Sequence, residues 1–398
     1  MESILVRDES GTYLGGALLI GGGCIGGGMF ALPVIAGMSG FVPSFVFFVV
    51  AWLFMVTTAF FIHRVMQAHP ECSNFLSLTR KILGPVGEWV VFLSFISLFL
   101  SLVIAYLVKG GGLVQQALEK VATVPGCTGP VLLALVTFFL VVRGIQLIDS
   151  LNKVFMVGLA VTFLYLTFLG NQVRDFSFIQ RMDWGYSIPT FSFLVISFGF
   201  HNLLPSLNSY LGRDKQKVRR AIIVGAMLPF VVYVVWLTHF LSLVPYTGPV
   251  SIVVCYESGQ IASEALSQIL KSSHFSLVLE GFAFFAIVTS LLAQTLSLHD
   301  FIQDGLNRIR LRPSRTIIGI LVFAPALAIA INNPNIFFQL LEIGGGILAI
   351  ILFGIFPGLM MLKMKSLAEK KKWFTAVIIV LALSFVVVGA EICKITNS

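Results

Sequence analysis

Residues 21–28 read Gly-Gly-Gly-Cys-Ile-Gly-Gly-Gly and interrupt an apolar segment that otherwise fits a membrane-spanning helix. Glycine costs about 1 kcal/mol relative to alanine in a helix interior, so these glycines together oppose a continuous helix by roughly 5 kcal/mol. Unpaired backbone is tolerated at membrane depth only where it lines a cavity inside the protein. The stretch therefore predicts a broken helix that lines a polar site near the middle of a bilayer.

The composition indicates an integral membrane protein. Of the 398 residues, 57% are hydrophobic and 11% are charged, whereas soluble domains carry about 25% charged residues. No Asp, Glu, Lys, Arg or His occurs from Ser10 to Ile62, and this stretch is long enough for two spans of about 20 residues. We expect a single transmembrane domain that covers residues 1–398.

Charge-free runs predict eleven membrane-spanning helices. With the N-terminus in the cytoplasm, most of the 26 lysines and arginines fall on the cytoplasmic side, and those outside are Lys109, Lys120, Arg174, Arg181, Lys271 and Lys394. The positive-inside rule thus orients the chain in a plasma (inner) membrane with its C-terminus outside. The net charge of +8 fits a basic face against anionic lipid, with no need for nucleic acid. The predicted spans are 15–38, 42–63, 87–117, 125–144, 153–172, 186–211, 218–244, 276–301, 315–331, 335–362 and 373–391.

A second interruption lies five spans after the first. The sixth predicted span contains Ser197-Phe198-Gly199-Phe200-His201 followed by Pro205, and the glycines of the first span are followed by Pro33. Because five is odd, the two interrupted helices enter the membrane in opposite directions, which is typical of an inverted repeat. We predict a first repeat at 15–172, a second at 186–362 and an appended helix at 373–391. Close packing at glycine and a proline kink explain either segment alone, but their matched positions favour a binding site.

Two broken helices offer the groups that bind a free amino acid. The N-terminal ends of the half-helices carry partial positive charge that suits a carboxylate. The freed carbonyls suit an ammonium group, and Phe198 and Phe200 flank Gly199 as walls of a side-chain pocket. The predicted substrate-binding residues are Gly22, Gly23, Cys24, Gly26, Gly27, Gly28, Tyr106, Ser197, Phe198, Gly199, Phe200 and His201.

Three motifs are each short, but their combination in one chain is specific for a protein family. They are Gly-Gly-Gly-Met-Phe-Ala-Leu-Pro at 26–33, the Ser197 to His201 core with Pro-Ser-Leu at 205–207, and Thr-Ser-Leu at 289–291 followed by Asp-Phe-Ile-Gln-Asp-Gly-Leu at 300–306. Together they resemble the hydroxy/aromatic amino acid permease family of the amino acid/polyamine/organocation superfamily, and within it the tyrosine-specific members. The resemblance covers essentially the whole chain in span number and loop placement.

That resemblance implies an all-α integral membrane protein with a LeuT-like fold. The expected architecture is a 5+5 inverted repeat with discontinuous helices 1 and 6 and an eleventh helix. It also implies inward transport of tyrosine, tryptophan or a related amino acid, driven by a proton gradient, with neither a bound cofactor nor a metal. The expected partners are therefore the amino acid substrate and the lipid membrane.

Two sets of residues are candidates for ion coupling. His201 is the only Asp, Glu, Lys, Arg or His between Asp183 and Arg213, and a histidine at membrane depth is functional by default. The alternative is a core histidine bonded to one carbonyl. The neighbouring hydroxyls of Thr289 and Ser290 would form a rival sodium site if they face carbonyls of the first broken helix. Otherwise each hydroxyl bonds to a carbonyl of its own helix.

Two charged residues in otherwise uncharged spans are further candidates for ion coupling. Lys109 follows the uncharged residues 89–108. It either snorkels to the outer interface or, together with Tyr106, reaches the central site as a fixed cation. Glu342 is the one charge between Arg315 and Lys363, and it either faces an outer vestibule or acts as an external gate.

Two other functional classes fit the sequence less well. An enzyme would need an acid and base pair, an activated nucleophile or a metal cluster, and no HExxH, GxSxG or paired-aspartate pattern occurs in the spans. A channel would need a ring of like residues, whereas two inequivalent breaks suit one enclosed site. Serine or threonine transport within the same family and sodium symport stay open as alternatives, and the sequence leaves the oligomeric state undetermined.

Overall fold

The computed structural model describes residues 11–72, 74–169, 175–270, 273–308, 310–311, 313–364 and 367–397. Within these ranges the secondary structure is helical, without strands. Within them, nine helical segments, some locally unwound, are long and apolar enough to cross a membrane, and a bent pair of helices makes a tenth candidate. A helix of 16 residues stands where the fourth span is predicted. The predicted multi-pass, all-α architecture is confirmed.

The α-helices are numbered in chain order. They are α1 (Tyr13–Cys24), α2 (Gly28–Ser39), α3 (Phe41–Ala68), α4 (Phe75–Glu119), α5 (Thr128–Arg143), α6 (Ile145–Leu169), α7 (Ser187–Ser197), α8 (Leu204–Tyr210), α9 (Lys215–Leu241), α10 (Ile252–Ser258), α11 (Ala262–Leu270), α12 (Ser273–Arg308), α13 (Arg315–Asn332), α14 (Phe337–Ile343), α15 (Phe356–Leu362) and α16 (Leu367–Asn397). Short 3₁₀ turns occupy Phe176–Gln180, Trp184–Tyr186 and His201–Leu203, and π-helical turns occupy Gly344–Ala349 and Ile351–Ile355.

The first span is broken within the glycine-rich stretch. α1 ends at Cys24, α2 begins at Gly28, and the two axes differ by 64°. Ile25 leaves the helical region with φ −73° and ψ 103°. Gly21 to Gly23 stay inside α1, so the unwound part is shorter than the glycine run itself. The predicted discontinuity of helix 1 is confirmed.

The second break separates α7 from α8. Phe198 to Phe200 are non-helical, and the 3₁₀ turn at His201–Leu203 leads into α8. Pro205 lies in the first turn of α8, where its missing N–H costs no hydrogen bond within the helix. Both halves still belong to one span of 27 residues, Trp184–Tyr210, so this helix is unwound locally. The predicted discontinuity of helix 6 is also confirmed.

α4 begins well before the predicted third span, which covers 87–117. Its first part, residues 75–83, includes Arg80 and Lys81, and these charges place it outside the predicted span. Gly84 follows with φ +84°, a conformation that favours glycine, and Pro85 restarts the helix. The charged part is therefore a separate helical segment joined to the membrane span at a kink.

α9 is the helix that runs past both breaks. It packs against α1, α2 and α3. The Asp214 carboxylate caps its start by accepting hydrogen bonds from the backbone amides of Lys217 and Gln216, which holds the pKa of that carboxyl below its usual range. α12 packs against α4 and α6.

The orientation and the division into repeats stay predictions. Several charges used to orient the chain lie outside the described residues, namely Arg7, Arg174, Lys271, Arg312 and Lys365.

Candidate functional site

The two breaks meet at the side chain of Tyr233 in α9. Its hydroxyl lies 2.5 Å from the carbonyl oxygen of Cys24 and 3.1 Å from that of Ser197. These are the last carbonyls of α1 and α7, and in the described part of the chain no backbone amide donates to them. The carbonyls freed by the two breaks therefore lie close together, on either side of one phenol.

A second side chain of α9 holds the other half of the first span. The indole nitrogen of Trp236 donates a hydrogen bond of 2.9 Å to the carbonyl of Met29, in the first turn of α2. Its ring meets Phe30 and Phe282 edge-on. Because Tyr233 and Trp236 are three residues apart, they project from the same face of α9. This face fixes both sides of the first break.

α4 and α12 close the first break from the opposite side. The backbone amide of Gly27 donates a hydrogen bond of 2.8 Å to Oγ of Ser290. The Tyr106 ring packs on Gly27, and its phenol lies beside Ser290. A Cβ atom on Gly26 would collide with Ser290 Oγ. Ser290 thus faces the broken helix, where its partner is an amide and not a carbonyl. Thr289 donates to Ala286 in its own helix at 2.9 Å.

The start of α2 faces the end of α7. A Cβ atom on Gly28 would come within 3.5 Å of Ser197 Oγ. Phe198 is fully buried, with its ring 5.4 Å from that of Tyr233 and 6.4 Å from that of Phe48. Gly199 allows the Phe353 ring to approach, since a Cβ atom there would lie 3.2 Å from it. Phe198 therefore lies next to Tyr233 at the second break, and its role as a wall of a substrate pocket stays a prediction.

The two predicted site glycines that lie in α1, Gly22 and Gly23, have different neighbours. A Cβ atom on Gly23 would lie 2.6 Å from the side chain of Leu203, and one on Gly22 would lie 3.5 Å from Met156. Gly23 thus lets the end of α1 approach the 3₁₀ turn of the second break. Gly22 faces α6 at ordinary packing distance.

His201 is buried in the second break. Its Nε2 lies 2.8 Å from Oγ1 of Thr58, and its ring stacks on Phe353 with centroids 4.8 Å apart. The Phe200 ring lies 5.1 Å away on the adjacent residue. Its Nδ1 is buried without a hydrogen-bond partner among the residues that the structure describes. The bonded partner is a hydroxyl, and not the carbonyl that the core-histidine alternative expects.

Lys109 and Glu342 make ion pairs with other helices. Lys109 Nζ lies 3.3 Å from Glu264 of α11 and 5.7 Å from the centre of the Phe337 ring. Glu342 accepts a hydrogen bond from Lys394 of α16. Over the described ranges, the recorded contacts of both side chains are with these partners and not with the residues of the breaks. Glu342 does line a cavity of about 250 Å³, together with Tyr256 and Phe338.

A larger cavity of about 540 Å³ opens from the second break. Ligand-binding clefts have volumes of about 300–1,000 Å³. Asn202, Leu203 and Pro205 line it on the side of the broken span, and Asp300 and Asp304 of α12 line it on the other. The cavity reaches the face that carries the start of α4 and the end of α12, which the predicted orientation assigns to the cytoplasm.

Three residues of interest escaped the sequence analysis. Tyr233 and Trp236 gave only a weak signal, a tyrosine and a tryptophan three residues apart in an apolar span. Glu391 ends the last predicted span, yet it is only 3% exposed. Ser192 of α7 donates a hydrogen bond of 2.7 Å to its carboxylate, and Gly346 leaves room for its side chain.

Comparison with known proteins agrees with this architecture. The model of the tryptophan/tyrosine permease family matches residues 9–396. The chain is 28% identical to the tryptophan-specific transport protein of Haemophilus influenzae, covering 89% of this chain and 88% of that protein. It is also 28% identical to tyrosine-specific transport system 2 of that organism, covering 83% of each chain. The chain is also similar to the crystal structure of MhsT in complex with L-phenylalanine, with a TM-score of 0.66 and 14% sequence identity. The match covers 96% of this chain and 100% of that chain, which shows a shared LeuT-like fold.

Proposed function

From the premise that the chain belongs to the tryptophan/tyrosine permease family, we propose that it imports tyrosine and tryptophan by proton-coupled secondary transport. It is a membrane transport protein and not an enzyme, as its family and relatives are. The observation that carries the proposal is the meeting of the Cys24 and Ser197 carbonyls at Tyr233. Two helix ends that converge on one point form a site for a small polar ligand.

The backbone of the breaks recognises the groups that all amino acids share. The carbonyls of Cys24 and Ser197 are acceptors for the ammonium group. The positive end of α2 begins at Gly28, which faces Ser197 across the break, and it suits the carboxylate. Both charges of the zwitterion are then met by backbone dipoles. No charged side chain is needed in the site.

Aromatic side chains favour an aromatic substrate. Phe198, Tyr106 and Tyr233 surround the two breaks, and edge-to-face contacts with such rings stabilise an aromatic ligand. The tryptophan-specific transport protein and the tyrosine-specific transport system 2 of Haemophilus influenzae are both 28% identical to this chain. We place tyrosine first, as the sequence motifs do, and tryptophan second.

His201 is the proton acceptor in this proposal. The hydroxyl of Thr58 donates to the Phe54 carbonyl at 3.0 Å, so its oxygen accepts the hydrogen bond from Nε2 of His201. Nε2 then carries the N–H, and Nδ1 presents a free lone pair. Sodium has less support, because the Thr289 hydroxyl is used within its own helix and the Ser290 oxygen accepts from Gly27.

Alternating access is part of this proposal, and its support is that one face of the protein is open to the site and the other is closed. The cavity of about 540 Å³ reaches the second break from the face proposed to be cytoplasmic. On the opposite face, the Lys109–Glu264 pair ties α4 to α11, and the Lys120–Glu280 pair ties the end of α4 to α12. In the proposed orientation this is an inward-open conformation. Substrate would enter from outside once these contacts separate.

Transport into proteoliposomes tests the proposal. Radiolabelled L-tyrosine and L-tryptophan should accumulate when an inward proton gradient is imposed, and an uncoupler should abolish the accumulation. Each should compete with the other, and L-serine should compete with neither. Accumulation that requires sodium, or that L-serine blocks, would contradict the proposal.

A further inference from the structure

We propose that the Tyr233 hydroxyl occupies the ammonium subsite of the empty transporter and that the substrate ammonium displaces it. Tyr233 would then be a positioning residue that ties α1 to α7 only while the site is empty. This inference rests on the proposed function, because it assigns a role within the same site. It concerns how the site distinguishes ligands with an amine from ligands without one.

The first argument is the number of donors. A phenol has one proton, and here it faces two carbonyls, at 2.5 Å and 3.1 Å. It can donate fully to only one of them. An ammonium group has three protons and a full positive charge, so it can donate to both carbonyls with stronger, charge-assisted bonds. Exchange of the hydroxyl for the ammonium group is therefore favourable.

The second argument is the place of Tyr233 between elements that must separate. Cys24 ends α1 and Ser197 ends α7, and between these two helix ends the hydroxyl is the recorded bridge in the described residues. The neighbouring bond of α9, from Trp236, goes to Met29 in α2. Release of Tyr233 thus removes the hydrogen bonds from α9 to the ends of α1 and α7, while the Trp236 bond to α2 stays.

The third argument is that the backbone hydrogen bonding of α9 is interrupted near Tyr233. Pro229 lies inside the helix one turn earlier, where it removes a backbone hydrogen bond. One further turn back, Gly225 packs directly on α1, since a Cβ atom there would lie 2.7 Å from Ile20. A bend at Pro229 lets the Tyr233 segment move relative to the part of α9 that holds α1. The displacement therefore needs no unfolding of α9.

The consequence is a selectivity that depends on the amine. A ligand with an ammonium group can replace the hydroxyl at both carbonyls. A ligand that keeps the aromatic ring and the carboxylate but lacks the amine leaves the hydroxyl in place. The tie between α1 and α7 should then open for the first ligand and stay closed for the second.

Binding measurements on Tyr233→Phe test the proposal. The ligands are L-tryptophan, tryptamine, which lacks the carboxylate, and indole-3-propionate, which lacks the amine. In this variant the ligand no longer has to break the hydrogen bond of the Tyr233 hydroxyl. Binding of L-tryptophan and tryptamine should therefore tighten by about 2- to 12-fold, and the affinity for indole-3-propionate should not change. Weaker binding of the amines, or an equal change for all three ligands, would overturn the proposal.

Trp236→Phe is the matched control. It removes a donor of the same helix face that bonds to α2 and not to the freed carbonyls. It should alter the three affinities by a similar factor, without selectivity for the amines. Selectivity as large as that of Tyr233→Phe would show that any loosening of α9 has this effect, and would also overturn the proposal.

A second measurement keeps the hydroxyl. Site-specific 3-fluorotyrosine at position 233 gives one fluorine resonance, which should shift on addition of tryptamine and not of indole-3-propionate. This test stands even if Tyr233→Phe fails to fold. A wild-type protein that binds neither L-tyrosine nor L-tryptophan would contradict the proposed function as well, whereas binding with an unmoved resonance would contradict only the role of Tyr233.

Discussion

The ring of Tyr106 lies so close to Gly27 that a Cβ atom on this glycine would stand 2.6 Å from Tyr106 Cε1. The approach is possible because glycine has no side chain. It places the aromatic residue of α4 directly over the unwound part of the first span. The same glycine donates its amide to Ser290 of α12. Gly27 is therefore the point at which three elements of the site are aligned.

Gly27→Ala should abolish most of the transport activity. The added methyl group forces Tyr106 or the break itself to move, and a displacement of about 1 Å can cost about 100-fold in rate. We expect uptake of L-tyrosine and L-tryptophan to fall at least about tenfold with normal expression. The control is Gly281→Ala in α12, where a Cβ atom meets nothing within 4 Å. That variant should transport normally, and equal losses in both variants would refute the role of Gly27.

Ser290→Ala and Thr289→Val should have unequal effects. Ser290→Ala leaves the amide of Gly27 without its partner, and a buried unpaired donor costs about 1–3 kcal/mol. Thr289→Val loses only a bond within α12 and should change uptake less than about twofold. Uptake and thermal denaturation of both variants would show the difference. If Thr289→Val is the more damaging variant and sodium stimulates wild-type uptake, the sodium site is the better interpretation.

The sequence predicted the breaks because glycine and proline act through the backbone. The predicted break covered residues 21–28, and the unwound part lies within it, but Gly21 to Gly23 stay helical and serve close packing. A Cβ atom on Gly21 would lie 2.5 Å from Leu228 of α9, and one on Gly23 would meet Leu203. A sequence does not distinguish a glycine that unwinds a helix from a glycine that allows a neighbouring helix to approach closely. Only the neighbouring helix distinguishes them.

The partners across the site could not be predicted for a related reason. A membrane helix is apolar on all sides, so its sequence does not show which face meets which neighbour. Tyr233 therefore gave no sign that it bonds to Cys24 and Ser197, which are far away in sequence. The candidates recognised from sequence, such as His201, are those that are costly to bury wherever they point.

His201→Gln should uncouple transport from the proton gradient. Glutamine keeps a side-chain donor for Thr58 but does not take up a proton. We expect proton-driven accumulation to disappear while exchange of internal for external substrate continues. The comparison is His274→Gln, an exposed histidine bonded to Tyr165, which should leave both activities intact. Normal accumulation by His201→Gln with an unchanged pH profile would exclude His201 as the coupling group.

Glu391→Gln and Ser192→Ala should separate charge from hydrogen bonding in the buried pair. The amide of glutamine can still accept from Ser192, so Glu391→Gln should be as stable as the wild type. Ser192→Ala leaves the carboxyl group without that donor and should lower stability by about 1–3 kcal/mol. Thermal denaturation in detergent measures both effects. A Glu391→Gln variant that is clearly less stable than Ser192→Ala would show that the carboxylate charge itself is required.

Exchange of charges in the Lys109–Glu264 pair tests whether Lys109 is a fixed cation of the central site or serves as the ion-pair partner of Glu264. As an ion pair between α4 and α11, it should tolerate exchange of the two charges. Lys109→Glu and Glu264→Lys alone each place like charges together and should reduce uptake severalfold. The double variant should recover much of the activity, because opposite charges again face each other. Uptake assays on the three variants distinguish the two cases. A lysine on α11 cannot replace a fixed cation of the central site. A double variant as inactive as Lys109→Glu would therefore favour the central role.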